Sequence, residues 1–242
     1  MRLSGRTTVL LASLIGLIAI AATDQIVPAS SLYQAQMRIW LAARATGLVA
    51  YGLLTVLVAF GLILSHPVNQ STWKLSRRLF PWHENLFAFV VAFTVVHVVS
   101  LVLDPYAGVG ILGALVPGLS SYRSWPVALG TLGLYALLIT ALTARYTRLL
   151  PAGGWLKLHR LSLVVWALGW GHGILAGSDS EALALVYVAT GILVMGAAAY
   201  RYWVARQRRP TFASSLPIDD RSETLHGPGR GPAPAPAEGT SR

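Results

Sequence analysis

Six stretches of this 242-residue chain are apolar for about as long as a helix needs to cross a bilayer, roughly 20 residues. They cover residues 7–23, 38–65, 83–103, 125–146, 156–177 and 182–204, and they restrict the possible folds more than any other feature. Within lipid every backbone N–H and C=O must be paired inside the protein, which leaves helices or a closed barrel. The runs are continuous and lack the alternation over about ten residues that a barrel strand carries, so helices are predicted. A hydrophobic fraction of 55% with only 12% charged residues excludes an ordinary soluble domain. The expected fold class is an all-α integral membrane protein, a bundle of six transmembrane helices.

The basic residues mark one side of that bundle. Arg2 and Arg6 precede the first apolar run; Lys74, Arg77 and Arg78 follow the second; Arg145, Arg148, Lys157 and Arg160 surround the fourth-to-fifth connection; Arg201, Arg206, Arg208 and Arg209 follow the sixth. The acidic residues Asp24, Asp104, Asp179 and Glu181 fall in the connections between. Excess Lys and Arg identify the cytoplasmic side, so both termini are expected inside. A net charge of +10 distributed in this way reflects topology, and no nucleic-acid partner is expected.

Three segments follow from these assignments. Residues 1–24 form the first transmembrane helix, although the charged start and the small residues Ala21 and Ala22 also fit a secretory signal. Residues 25–206 form the membrane domain. Residues 207–242 shift to Arg, Pro, Gly, Ser and Ala, a composition unable to bury enough apolar surface to order itself, and are expected to be a disordered cytoplasmic tail. The sequence carries no Gly-rich strand-to-helix fingerprint for a flavin or nicotinamide nucleotide.

Ionisable groups at membrane depth are costly and mark functional sites. Four histidines lie inside the apolar runs: His83 and His97, fourteen residues apart in the third, and His159 and His172, thirteen apart in the fifth. At 1.5 Å per residue the members of each pair are about 20 Å apart along their helices. Both helices run in the same direction, which levels His83 with His159 and His97 with His172. Imidazole binds iron well, and a haem takes one axial ligand from each face. Two rungs of this kind suit two haems of the b type. Cysteine is absent, which excludes thiolate-ligated haem, iron–sulfur clusters and covalent c-type attachment. His66 and His226 are expected to be solvated.

The spacing of the second pair is awkward. On an ideal helix thirteen residues leave His172 displaced from His159 by roughly 140°. Local tightening or bending of the fifth helix is required, and the glycines Gly169, Gly171 and Gly173 around His172 are the expected means. Phe87, Phe89, Phe93, Trp166 and Trp170 are placed to pack on a porphyrin, while Trp40, Trp73, Trp82, Trp125, Trp155 and Trp203 fit an interfacial belt. Arg44, about two turns into the second helix, is expected to neutralise the propionates of the outer haem, since an unpaired guanidinium there is costly. Arg38 and Arg123 are in reach of the same region, and Lys157 and Arg160 flank His159.

The histidine pairs, fourteen apart on the third helix and thirteen apart on the fifth, resemble the ferric reductase-like transmembrane domain family, which includes NADPH oxidases, ferric-chelate reductases and the membrane subunit of a bacterial methionine sulfoxide reductase. The strings Leu158-His159-Arg160-Leu161-Ser162 and Gly171-His172-Gly173-Ile174-Leu175 look like those of bacterial members. The resemblance spans about residues 38–204 and implies haem ligation by His83, His97, His159 and His172 and a bacterial plasma membrane location. It also implies an electron-transfer component of an oxidoreductase. Complete reductases of the family carry a flavin and nicotinamide region after the sixth helix. Without one, the donor is expected to be a separate flavoprotein, a flavin or a quinol, and the acceptor ferric iron, oxygen or a periplasmic protein. Two alternatives stay open: a cytochrome b subunit exchanging electrons with quinone or flavin for a periplasmic reductase, and a non-redox transporter or scaffold.

Overall fold

In the computed structural model, residues 5–26, 29–72 and 75–207 are described, and among them every regular element is helical. The order is α1 (Gly5–Ile26), α2 (Leu32–Leu64), α3 (Pro67–Thr72), α4 (Ser76–Leu103), α5 (Gly110–Leu115), α6 (Ser124–Arg145), a short 3₁₀ turn (Thr147–Leu149), α7 (Gly154–His159), α8 (Ser162–Ala176) and α9 (Ala184–Gln207). The chain divides into two units, Met1–Arg206 and Gln207–Arg242. The expected disordered tail is the second of these, and beyond Gln207 it lies outside the described residues.

Four helices among the described residues are long and apolar enough to cross a membrane: α2, α4, α6 and α9. The other two predicted spans are shorter or interrupted. In α1 the apolar stretch covers Thr7–Ala22, and the fifth run is split between α7 and α8.

That split accounts for the thirteen-residue spacing. The expected glycines around His172 are all inside α8, and the helix breaks instead immediately after His159, at Arg160 and Leu161. There Leu161 N–H donates to Leu158 at 2.9 Å and Leu163 N–H to Arg160 at 3.3 Å. Such i→i−3 bonds wind the chain at three residues per turn, so each residue gains about 20° over an α-helix. With two separate helices in place of one, the ideal-helix displacement of His172 no longer applies.

Local chemistry sets the helix ends. Ser31, in extended conformation, accepts from Gln34 N–H through Oγ and caps α2. Arg123 precedes α6 in the left-handed region, with φ of 38°, and its carbonyl accepts from Val127. Pro126 sits in the first turn of α6, where its missing N–H removes no helical bond.

Helix α2 packs along α4 and also touches α8, while α6 packs along α8 and α1 along α4. The central core joins Leu54, Leu57, Val58 and Leu62 of α2 to Val90 of α4, Leu137 of α6, Val165 and Trp166 of α8 and Val194 of α9. Trp166 is only 1% exposed, and its Nε1–H donates to Thr55 Oγ1 at 3.0 Å. Val90 is midway between His83 and His97 in α4, and Trp166 midway between His159 and His172. Two of the most deeply buried side chains, Val90 and Trp166, thus lie between the two histidine levels.

Candidate functional site

The four histidines come together in two pairs. His83 of α4 faces His159 of α7 with ring centres 6.2 Å apart, and His97 of α4 faces His172 of α8 at 6.3 Å. The rings of each pair are nearly perpendicular, at 72° and 74°. An imidazole nitrogen lies about 2 Å from a metal it ligates. Adding the depth of each ring places the centres of two imidazoles on opposite sides of one metal about 6 Å apart. Both pairs have a separation that one metal between the two rings would fit.

The protonation pattern of the second pair suits that role. His97 Nδ1 is 2.7 Å from the carbonyl of Ala43 in α2, and His172 Nδ1 is 2.8 Å from that of Pro126 in α6. A carbonyl only accepts, so in both rings Nδ1 is the protonated nitrogen and Nε2 keeps its lone pair. Metal-ligating histidines are commonly oriented by such a bond. Glycines make it possible. A Cβ on Gly47 would stand 2.8 Å from His97 Nδ1, and one on Gly130 would stand 2.8 Å from His172 Nδ1. Each glycine follows the accepting carbonyl by four residues, so each ring lies in a notch on the neighbouring helix.

The His97–His172 pair borders a cavity of ≈220 Å³ lined mainly by α2, α4, α6 and α8. Arg44, Tyr51, Asp179 and Tyr187 also line it. The reason given for Arg44 in the sequence, an unneutralised guanidinium, does not hold: Asp179 takes it with both carboxylate oxygens, Arg44 Nε donating to Oδ2 at 3.0 Å and Nη2 to Oδ1. Arg44 keeps its place on the cavity wall, as half of an ion pair. Tyr51 hydroxyl is bonded to Thr190 Oγ1 at 2.5 Å, and the Tyr51 and Tyr187 rings are in contact.

Other expectations sort differently. Trp40 is buried against Tyr106 and Tyr122 and lines the cavity, so it does not belong to an interfacial belt. Trp82, Trp125 and Trp203 are exposed, as a belt requires, and the placement of Trp73 lies outside the described residues. Trp170 stacks on Trp166, whereas Phe89 is exposed. Arg123 donates to the Leu175 carbonyl near the end of α8. His66 is half-buried and stacks on Tyr200, contrary to the expected solvated position; His226 lies outside the described residues.

Among the described residues no group of three or more His, Cys, Asp or Glu side chains converges as a bare metal ion requires. Two opposed imidazoles instead suit a metal that arrives with its own equatorial ligands, as iron does in haem. Compared with known proteins, the chain matches no protein-family model, no curated protein and no solved structure.

The sequence carried an unused signal for the notches. Gly47 and Gly61 are fourteen residues apart in α2, as His83 and His97 are in α4, and the antiparallel helices pair Gly47 with His97 and Gly61 with His83. The Asp179 partner of Arg44 is 135 residues distant, and nothing local announces it.

Proposed function

We propose that this chain conducts electrons across a membrane through two b-type haems, held by His83 with His159 and by His97 with His172, as the membrane component of a ferric reductase-like oxidoreductase. The observation that carries this is the pair of opposed imidazoles at each of two levels, at 6.2 and 6.3 Å. A haem held by each histidine pair would supply a reversible one-electron couple.

The chain's own residues orient and insulate. The Ala43 and Pro126 carbonyls hold His97 and His172 with Nε2 free. Val90, Leu137 and Trp166 pack together as apolar core between the levels. Arg44 and Asp179 place a balanced charge pair on the cavity wall, where the guanidinium is in reach of an acidic group.

In this proposal α1 and the α7–α8 pair complete six spans, with the basic connections and both termini on the cytoplasmic side of a bacterial plasma membrane. The His83–His159 level is then the inner one, next to the basic connections, and the His97–His172 level the outer. A separate flavoprotein, flavin or quinol supplies electrons on the inside; ferric iron, oxygen or a periplasmic protein receives them outside. The test uses the purified chain in proteoliposomes with an impermeant oxidant trapped inside. A reductant added to the medium is then oxidised, and the trapped oxidant reduced, at a rate set by the chain. Empty vesicles and a His97→Ala/His172→Ala variant give the background, and a wild-type rate equal to background contradicts the proposal.

A further inference from the structure

The two histidine levels are built differently on the side away from the partner ring. At the His97–His172 level both Nδ1 atoms donate to backbone carbonyls. At the His83–His159 level neither Nδ1 has a partner in good hydrogen-bond geometry: the Leu57 carbonyl of α2, four residues before Gly61, interacts only weakly with His83, and no backbone acceptor orients His159. The glycine contacts follow the same division. A Cβ on Gly61 would meet His83 Cε1 at 3.4 Å, an ordinary contact, against 2.8 Å for Gly47 with His97. On α6 the residue thirteen beyond Gly130 is Thr143, and its hydroxyl donates to the Ile139 carbonyl at 2.8 Å. Ile139 stands four residues before Thr143, as Pro126 does before Gly130, and its carbonyl is already engaged by this side chain.

We propose that Gly47 and Gly130, with the carbonyls of Ala43 and Pro126, are a matched pair of positioning elements that make the His97–His172 level the stronger-donating haem site. This rests on the haem proposal above. A hydrogen bond from Nδ1–H to a carbonyl fixes the ring's orientation and raises its basicity at Nε2. A more basic axial ligand favours the oxidised iron, so this site has the lower midpoint potential and the tighter hold on haem. The Arg44–Asp179 pair lies at the same level but is neutral as a unit, so it does not reverse the order.

The test separates the proposal from its foundation. Haem is counted by pyridine haemochrome in the wild-type protein and in Gly47→Ala, Gly130→Ala, Gly61→Ala and Gly52→Ala variants. Gly52 has open space around it and reports on tolerance of alanine in α2. Losing an orienting partner weakens metal sites by about 10–100-fold, so Gly47→Ala and Gly130→Ala are expected to lose one haem while the other two variants keep both. Redox titration of His83→Ala and His97→Ala then compares the surviving sites, and the haem left in His83→Ala is expected to titrate at the lower potential. Wild-type protein without haem overturns the haem proposal itself. Wild-type protein with two haems overturns only the positioning proposal if Gly47→Ala and Gly130→Ala keep both haems, or if the potentials are equal or reversed. Should the two glycine variants fail to accumulate, the potentials alone decide.

Discussion

Removing one charge from the Arg44–Asp179 pair is the perturbation whose size the structure best defines. The side chains are 27% and 37% exposed, so the pair is neither surface-screened nor dry. Two unit charges about 4 Å apart attract by about 1 kcal/mol in water and about 4 kcal/mol at an effective dielectric of 20. With Asp179 more than one-third exposed, solvent screening lowers the working value to about 1–2 kcal/mol. Asp179→Asn and Arg44→Gln are each expected to destabilise the protein, and the double variant to cost less than their sum by about 1–2 kcal/mol. Equilibrium unfolding in mixed micelles measures the cycle. Independent sites add to within about 0.3–0.5 kcal/mol, and a coupling that small would refute an energetically meaningful pair. The haem potential gives a second check with a sign. Asp179→Asn leaves an uncompensated positive charge and raises the potential of the nearby site, Arg44→Gln lowers it, and the double variant returns close to wild type.

Trp166→Phe keeps most of the buried ring but breaks the bond to Thr55; a loss of about 0.6–1.7 kcal/mol is expected, the range for hydrogen bonds between membrane helices. Trp166→Ala is expected to cost about 3–5 kcal/mol by unfolding, because it empties the core between the histidine levels. Cysteine is absent, so Ser76→Cys and Ser121→Cys are clean topology probes: an impermeant thiol reagent applied to intact cells should label position 121 and spare 76, and the opposite pattern would reverse the inner and outer levels. The haems of the purified chain should be reduced by dithionite and left oxidised by NADPH until a flavin reductase, reduced flavin or quinol is added. Reduction by NADPH alone in a flavoprotein-free preparation would place an overlooked nucleotide site on this chain.

The long helices and the histidine pairing were legible because each follows from spacing within single apolar runs. Apolar run length sets a helix, and repeat spacing on parallel helices sets which histidines are level. Other features escaped, some for want of a local signal and some for reasons of range. The break after His159 is a local choice of i→i−3 bonds in Arg160–Leu163, residues with no proline or glycine to announce it, and the prominent glycines near His172 drew the prediction to the wrong end. Asp179 finds Arg44 only once α2 and the α8–α9 connection have come together, and Trp40 is buried by Tyr106 and Tyr122 from a connection that is also remote in sequence. Gly47 and Gly130 were visible as residues, but their role depends on which ring each meets, which is a property of packed pairs of helices.

Haem content across the histidine series tests the central claim most directly. Wild-type protein purified from haem-replete cells should bind two b-type haems per chain, with a dithionite-reduced spectrum of six-coordinate low-spin iron. His83→Ala and His159→Ala should each retain one haem, with one spectrum in common, and His97→Ala and His172→Ala should each retain the other. A wild-type protein without haem, or single variants that keep the full wild-type content, would contradict the two-level account.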